Sequence, residues 1–223
     1  MRLDLITTTD NYDDVKGADL VIEAVFENVE LKAKITKMAE AVLDKDAVFG
    51  SNTSTLPITG LAEASERPEN FIGIHFFSPV ERMGLVEIIS GEKTSEATLA
   101  KAVDYVLAIR KTPIAVNDSR GFYTSRCFGT YTREGMEMLA EGIKPAIIEN
   151  VGRQSGMPMG PLEVSDSVGL DTALKVTRAT AEAAGIDLQT DDRTQFLAWL
   201  VEDQERVGRK AGKGFYDYNE KGK

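Results

Sequence analysis

The chain holds one histidine, and a glutamate follows it at a spacing typical of a β-hairpin. His75 stands near the end of an apolar run that a serine and a proline close, and Glu87 lies inside the next apolar run. If residues 77 and 84 pair antiparallel, the two side chains fall opposite each other to within one residue of register. An imidazole beside a carboxylate takes up and releases protons near neutral pH. The spacing therefore predicts a proton-transfer site at this hairpin.

Two other interpretations use the same residues. A lone histidine in a strand can equally be a structural group whose hydrogen bonds are satisfied inside the protein. Ser54, in the polar run 51–55, would form a nucleophile pair with His75 and so predict a hydrolase. However, no Gly-x-Ser-x-Gly elbow surrounds Ser54, and a Ser-Asn-Thr-Ser-Thr run by itself is typical of a loop or a helix cap. The hydrolase is the weaker hypothesis.

The amino-acid composition limits which ligands and partners the protein can bind. The formal net charge is −10 at pH 7 and the isoelectric point is near 4.8, so the sequence lacks the cationic excess of a general nucleic-acid binder. The one cysteine, Cys127, cannot form an internal disulfide and has no partners for a zinc site, which fits a reducing compartment. No apolar run approaches the roughly 20 residues of a membrane span. We expect a cytoplasmic protein with no metal, no nucleic-acid partner and no membrane span.

Strand and helix patterns alternate in the first half of the chain. Near-continuous apolar runs at 18–26 and 47–50 predict buried parallel strands, and residues 30–43 between them repeat apolar side chains at helical spacing. A shorter helical stretch follows at 58–64. This alternation is typical of a doubly wound α/β sheet, which binds ligands at the carboxyl ends of its strands. Polar residues follow three such ends, at 27–28, 51–54 and 75–78. We expect them to line one crevice.

The pattern changes after residue 117. The run 112–116 reads as the last strand, with its proline near a sheet edge, and the turn at 117–121 is the best domain boundary. Beyond it, helical spacing recurs at 122–141, 146–155, 170–184 and 196–206. We therefore predict a partial doubly wound sheet at 1–117, followed by an all-helical domain at 118–223.

Several runs resemble the L-3-hydroxyacyl-CoA dehydrogenases of fatty-acid β-oxidation. They follow the family's order and cover nearly the whole chain, at 19–27, 51–56, 73–80, 158–161, 168–171 and 212–216. The run His-Phe-Phe-Ser-Pro-Val-Glu-Arg-Met at 75–83 looks more like the dehydrogenase region of the multifunctional α subunits than like the single-function enzymes. The resemblance implies a Rossmann-type cofactor domain, NAD as cofactor, and oxidation of (S)-3-hydroxyacyl-CoA to 3-oxoacyl-CoA.

The sequence lacks the phosphate-binding turn of this family. These enzymes begin their sheet with a strand and a Gly-x-Gly-x-x-Gly turn over the cofactor pyrophosphate, and no such run occurs in the 223 residues. The chain thus resembles the second half of the cofactor domain plus the helical domain, and we expect a shortened form. One alternative function is a catalytically incompetent fragment that serves only folding and dimerisation. A dehydrogenase of hydroxy acids without CoA also stays open.

The resemblance assigns catalytic roles to four residues. His75 would take the proton of the 3-hydroxyl while hydride leaves C3, and Glu87 would orient the imidazole ring. Ser54 would donate a hydrogen bond to the substrate oxygen. Ser125 stands where single-function members carry an asparagine that helps to hold the substrate carbonyl. A hydroxyl reaches less far than an amide, so the departure at Ser125 affects substrate geometry rather than the class of reaction.

The resemblance also implies a cofactor-binding set and partners. The matching positions are Ala24, Glu27, Lys32, Ser54, Ser78 and Lys210. Ser78 replaces an asparagine of the single-function members, as it does in the multifunctional type. For Lys32 and Lys210 a solvated surface charge is the competing interpretation. We expect an acyl-CoA substrate, a homodimer through the helical domain, and a hydratase module or thiolase partner in the intact system.

Overall fold

A five-stranded sheet dominates the first half of the computed structural model, which describes residues 2–219. The strands are Leu20–Glu23 (β1), Val48–Ser51 (β2), Phe71–Phe76 (β3), Leu85–Ser90 (β4) and Thr112–Asn117 (β5). They lie side by side in sequence order, and all neighbours are parallel except β3 and β4. The predicted doubly wound α/β class is confirmed, and Pro113 falls on an edge strand, as expected.

Helices cover both faces of this sheet. They are Val29–Glu40 (α1), Ile58–Ala62 (α2) and Glu96–Ala108 (α3), with 3₁₀ turns at Arg2–Leu5, Tyr12–Val15 and Pro68–Asn70. The sequence starts α1 and α3 at residues suited to capping. The Asn28 side chain accepts a hydrogen bond from the Leu31 N–H, and the Ser95 hydroxyl accepts one from the Thr98 N–H. Each cap satisfies a donor that the first helical turn would leave unpaired.

The core has two layers because alternate strand residues point to opposite faces. Phe49 packs on one face with Ile58 of α2, whereas Val48 packs on the other face with Ala102 and Val106 of α3. The central strands bury both layers, and Ile72 and other side chains there have no exposed surface. This two-sided burial explains the continuous apolar runs in the sequence.

The remaining helices are Thr124–Ala140 (α4), Pro145–Gln154 (α5), Pro161–Val168 (α6), Leu170–Ala184 (α7) and Asp192–Ala198 (α8). A π-helical segment, Trp199–Asp203, continues α8, and a 3₁₀ turn follows at Arg209–Ala211. By contacts, the chain divides into the compact units Met1–Arg126 and Cys127–Lys223. The boundary at 117/118 stays a prediction. Among the described residues, no helix is long and apolar enough to span a membrane.

Helix α6 was missed by the sequence analysis, which placed no helix between residues 155 and 170. Pro161 begins α6 at the first helical position, where a proline's fixed φ and missing N–H are both tolerated. Gly169, at φ 105°, then separates α6 from α7. Polar residues inside α6 weaken its apolar pattern, since Ser165 and Asp166 are buried there. The helical spacing was therefore hidden.

Candidate active site

His75 and Glu87 are direct partners across the antiparallel pair of β3 and β4. The imidazole Nδ1 lies 2.7 Å from the Glu87 Oε2 atom. His75 is 6% exposed and Glu87 is fully buried. The hairpin spacing thus placed the two side chains opposite each other, as the sequence analysis predicted.

The second oxygen of Glu87 is held by the start of α4. Its Oε1 atom accepts hydrogen bonds from the Tyr123 N–H at 3.1 Å and the Thr124 N–H at 2.8 Å. Burial raises the pKa of Glu87, but the hydrogen bonds from His75 and from Thr124 outweigh it and hold this pKa below the ordinary value of 4.5. Glu87 is therefore a carboxylate at neutral pH.

Two aromatic side chains enclose the imidazole. The His75 ring centroid lies 4.5 Å from that of Phe77 and 6.0 Å from that of Phe122. Phe122 is 1% exposed and adopts a positive φ of 46°, directly after Gly121. The Gly121 N–H donates to the Thr55 carbonyl at 3.3 Å, which ties this turn to the serine-containing loop. The aromatic contacts limit how the ring can rotate.

The pair leaves one imidazole nitrogen for chemistry. An ionised carboxylate only accepts hydrogen bonds, so the Nδ1 of His75 carries a proton toward Glu87. The neutral ring then presents its Nε2 lone pair as a base, and the protonated ring is stabilised by the adjacent negative charge. This arrangement suits a proton acceptor that becomes a donor in the reverse reaction.

Ser54 and Glu27 come together at the carboxyl ends of β1 and β2. Glu27 Oε1 accepts from the Ser54 N–H at 2.6 Å and from the Ser54 hydroxyl at 3.0 Å. The Thr53 hydroxyl also donates to Glu27, at 2.9 Å from Oε2. Asp118 anchors the segment after this loop by accepting from the N–H groups of Ile58 and Thr59, each at 2.8 Å. The sequence analysis missed Thr53 and Asp118, whose roles depend on contacts between distant residues.

Lys32 lies inside the protein, so its interpretation as a solvated surface charge is wrong. The side chain is 3% exposed, and its ammonium lies 2.9 Å from Oε1 and 3.0 Å from Oε2 of Glu23. It also lies 3.7 Å from Glu27, whose side chain is 38% exposed. The Ser51 hydroxyl donates to Glu23 as well. Glu23 was missed by the sequence analysis, although an acid within a near-continuous apolar strand signals a buried partner.

The other residues implied by the resemblance occupy separate settings. Ala24 is exposed directly after β1, Ser78 is exposed after β3, and Ser125 is half-buried in the first turn of α4. Lys210 belongs to the second unit, where its ammonium lies 2.7 Å from Asp171 Oδ1. Its side chain is 56% exposed. The functional roles of these four residues stay predictions.

The second unit contains a further group of buried acids, absent from the sequence analysis. This tyrosine–carboxylate cluster consists of Glu149, Asp166, Tyr216 and Tyr218. The Tyr216 hydroxyl donates to Glu149 at 2.9 Å, and the Tyr218 hydroxyl donates to Asp166 at 2.8 Å. Burial, with the neighbouring carboxylates, raises the pKa of both phenols.

Across residues 2–219, no group of three or more His, Cys, Asp or Glu side chains could hold a metal ion.

Comparisons with known proteins agree with this fold. Residues 1–119 match the family model described as "3-hydroxyacyl-CoA dehydrogenase, NAD binding domain", and residues 121–218 match "3-hydroxyacyl-CoA dehydrogenase, C-terminal domain". Among solved structures, an (S)-3-hydroxybutyryl-CoA dehydrogenase of Ralstonia eutropha has a TM-score of 0.85 at 35% identity, covering 95% of this chain and 75% of that one. A 3-hydroxybutyryl-CoA dehydrogenase of Escherichia coli has a TM-score of 0.83 at 30% identity, covering 94% of this chain and 44% of that one.

Curated relatives agree as well. The fatty acid oxidation complex subunit alpha of Shewanella loihica is 42% identical over 219 residues, and that of Shewanella halifaxensis is 43% identical over the same length. Each match covers 98% of this chain but only 30% of the relative. The chain thus spans about a third of the length of these relatives. The family predicted from the sequence is confirmed, and the chain belongs to the 3-hydroxyacyl-CoA dehydrogenases.

Proposed function

We propose that the protein serves the NAD-dependent oxidation of (S)-3-hydroxyacyl-CoA to 3-oxoacyl-CoA, with His75 as the proton acceptor. The observation that carries this proposal is the buried contact of 2.7 Å between His75 Nδ1 and Glu87 Oε2. It lies at the carboxyl end of β3, the edge at which sheets of this type bind their ligands. Family membership supplies the class of reaction.

Oxidation of the secondary alcohol removes a hydride from C3 and a proton from the hydroxyl oxygen. The chemistry that NAD would supply, when bound, is an acceptor for this hydride. The free Nε2 of His75 takes the proton, and Glu87 stabilises the resulting imidazolium. In the reverse direction the imidazolium returns its proton to the carbonyl oxygen as that oxygen becomes a hydroxyl.

The residues at the ends of β1 and β2 suit part of the cofactor. A carboxylate accepts hydrogen bonds from ribose hydroxyls, and Glu27 is a partly exposed carboxylate whose position is held by Thr53 and Ser54. The Lys32 ammonium lies 3.7 Å from Glu27 Oε2, and Ala24 is exposed directly after β1. These residues would hold the nicotinamide ribose. Because the 223 residues contain no Gly-x-Gly-x-x-Gly turn, we expect them to bind the pyrophosphate weakly.

Two hydroxyls would hold the substrate oxygens. The Ser54 hydroxyl donates to Glu27 in this structure, so it would turn toward the substrate oxygen when substrate binds. Ser125 directly follows Thr124, whose N–H donates to Glu87. It is therefore close in sequence to a contact of the reacting pair. Its short side chain would reach the thioester carbonyl less easily than an amide, which favours a looser fit of the substrate.

Reduction of acetoacetyl-CoA by NADH tests the proposal. We expect the 223-residue chain to oxidise NADH, and His75→Gln to lower the rate by about 10²- to 10⁴-fold, the range for loss of a general acid or base. Thr132→Val, a change on α4 outside the pair, is the control and should keep the wild-type rate. Unchanged activity in His75→Gln would remove His75 from the reaction.

The alternative function is a fragment that folds and dimerises without catalysis. The missing glycine-rich turn favours it, since backbone N–H donors at a helix start supply much of the affinity for phosphate groups. Calorimetric titration with NAD separates the two functions. Micromolar binding to residues 1–223 would exclude the fragment, whereas absent binding together with an inactive wild-type chain would support it.

Assembly and location belong to the same proposal. Large apolar side chains are exposed on the second unit: Ile147, Val151, Ile186 and Trp199. Such side chains favour a homodimer through this unit, and light scattering should give twice the mass of the chain. The relatives are named as subunits of a fatty acid oxidation complex, so a hydratase module or a thiolase partner in the cytoplasm fits the proposed reaction.

A further inference from the structure

Glu87 is surrounded by hydrogen-bond donors, yet one of its acceptor positions is unfilled. A carboxylate offers about four lone-pair sites. His75 occupies one, and the N–H groups of Tyr123 and Thr124 occupy two more. Because the side chain is fully buried, bulk solvent does not reach the fourth. A further donor from the protein is therefore expected.

The Thr124 hydroxyl is the donor in the right place. Its oxygen is buried and is the one buried hydroxyl within residues 2–219 that has no hydrogen-bond partner. The N–H of the same residue donates to Glu87 Oε1 at 2.8 Å, and the Thr124 side chain helps to lower the pKa of that carboxyl. A buried hydroxyl without a partner is unfavourable, so an acceptor within reach should capture it.

Other buried hydroxyls on helices behave differently. The Thr132 hydroxyl, also on α4, donates to the Phe128 carbonyl at 3.1 Å, and the Thr36 hydroxyl of α1 donates to the Lys32 carbonyl at 2.9 Å. This bond to the preceding turn is the usual solution for threonine in a helix. Thr124 is the first residue of α4 and does not form it. Its hydroxyl stays available to Glu87.

We propose that Thr124 is a positioning residue for the proton-transfer pair: its hydroxyl donates to Glu87 and so limits how strongly this carboxylate holds the proton of His75. Donors share the negative charge of a carboxylate, and each added donor leaves less of it for the imidazolium. Among the residues that the structure describes, Glu87 is hydrogen-bonded to the His75 ring, and the aromatic rings of Phe77 and Phe122 lie beside it. As a statement about catalysis, the inference rests on the proposed function.

The single histidine makes a direct measurement possible, because one set of imidazole resonances reports His75 without assignment of the remainder. The C2 proton is followed by NMR across the pH range in the wild type, Thr124→Val, Thr124→Ser and Thr132→Val. Thr124→Val keeps the shape of the side chain and removes the donor. It should raise the midpoint of the His75 titration by about 0.3 to 1 pH unit, the size expected for one hydrogen bond to the charged partner.

The two remaining variants decide what such a shift means. Thr124→Ser retains the hydroxyl and should keep the wild-type midpoint, as should Thr132→Val. A midpoint in Thr124→Val equal to that of the wild type would overturn the inference. So would an equal shift in Thr124→Ser, which would mean that the effect does not depend on the hydroxyl. Circular dichroism establishes that each variant is folded. If Thr124→Val is not folded, Thr124→Ala, which also removes the hydroxyl, takes its place in the test.

A pH profile of the reaction separates this inference from the proposed function. If His75 is the base, the profile of Thr124→Val moves with the NMR midpoint by the same amount. A shifted midpoint with an unmoved profile would keep Thr124 as a partner of Glu87 but would remove His75 as the base. If His75→Gln loses activity but the midpoint of His75 in Thr124→Val is unshifted, His75 stays the base and Thr124 is removed as a positioning residue.

Discussion

Two buried carboxylates of this protein, Glu87 and Asp166, accept similar sets of hydrogen bonds but have different roles. In the His75–Glu87 pair, one carboxylate accepts from a ring side chain and from two backbone N–H groups. In the tyrosine–carboxylate cluster, Asp166 likewise accepts from a ring side chain, Tyr218, and from the N–H groups of Phe215 and Tyr216. The donors are alike in number and kind, so the acid alone does not determine the function.

The ring partner is the difference between the two groups. An imidazole can both accept and donate a proton, so it can serve as a general base in one direction of a reaction and as a general acid in the other. A free phenol titrates near pH 10, and burial beside carboxylates raises the pKa of Tyr216 and Tyr218 further. Both tyrosines therefore keep their protons at neutral pH. The pair suits proton transfer, whereas the cluster anchors residues 215–218 to α5 and α6.

Replacing the acids in the two groups should have the largest and most unequal effect on activity. Glu87→Gln removes the charge that orients and stabilises the imidazole, and we expect a loss of about 10²- to 10⁴-fold in rate, as for the aspartate of a catalytic triad. Glu149→Gln in the cluster should keep the rate within about twofold, since an isosteric change there leaves the reacting groups intact. Steady-state rates of NADH oxidation measure both. Equal losses in the two variants would abolish the distinction.

Asp166→Asn should affect stability instead. The amide presents an NH₂ group where Asp166 now accepts three hydrogen bonds, and we expect the free energy of unfolding to fall by about 2 to 4 kcal/mol. Trp199, the only tryptophan, lies in the second unit, and its fluorescence follows urea unfolding there. The His75 titration should be unchanged in this variant. A shifted His75 midpoint would show that the two groups are not independent.

Gly160→Ala tests the packing of the cluster. A Cβ at Gly160 would overlap the carboxylate of Glu149, whose Oε1 accepts from the Tyr216 hydroxyl and the Glu163 N–H. We expect a loss of about 1 to 3 kcal/mol from overpacking. The same change in a Glu149→Ala background should cost clearly less, because the overlapping carboxylate is gone. Equal costs in both backgrounds would contradict the overlap as the cause.

The pH dependence of stability gives the smallest expected effect. The pKa of Glu87 is lower in the folded state than the ordinary value of 4.5, so its contribution to stability is complete above that value. The contribution is lost as the pH falls through the folded value, because the protonated acid gives up its charged hydrogen bonds. Below pH 4.5 the wild type should therefore lose stability more steeply than Glu87→Gln. Parallel curves from denaturant unfolding would contradict this assignment.

The same comparison shows how far sequence reasoning reached. The pairing of His75 with Glu87 could be predicted because strand periodicity and a short hairpin fix which residues face each other. The cluster could not, since its bonds join residues far apart in sequence, 67 positions in the case of Tyr216 and Glu149. No local pattern records such a contact. The burial of Lys32 was missed for a different reason. Glu23 lies only nine positions away, but the pairing of the lysine with this acid depends on how α1 packs against β1.

The tautomer of His75 tests the central claim most directly. Long-range ¹H–¹⁵N correlation spectra of the uniformly labelled chain, recorded above the titration midpoint, distinguish a protonated ring nitrogen from an unprotonated one. The contact of 2.7 Å with Glu87 predicts a proton on Nδ1 and a free lone pair on Nε2, the nitrogen that would accept the substrate proton. In Glu87→Gln this preference should weaken. A wild-type ring protonated on Nε2 would contradict the role of His75 as a base oriented by Glu87.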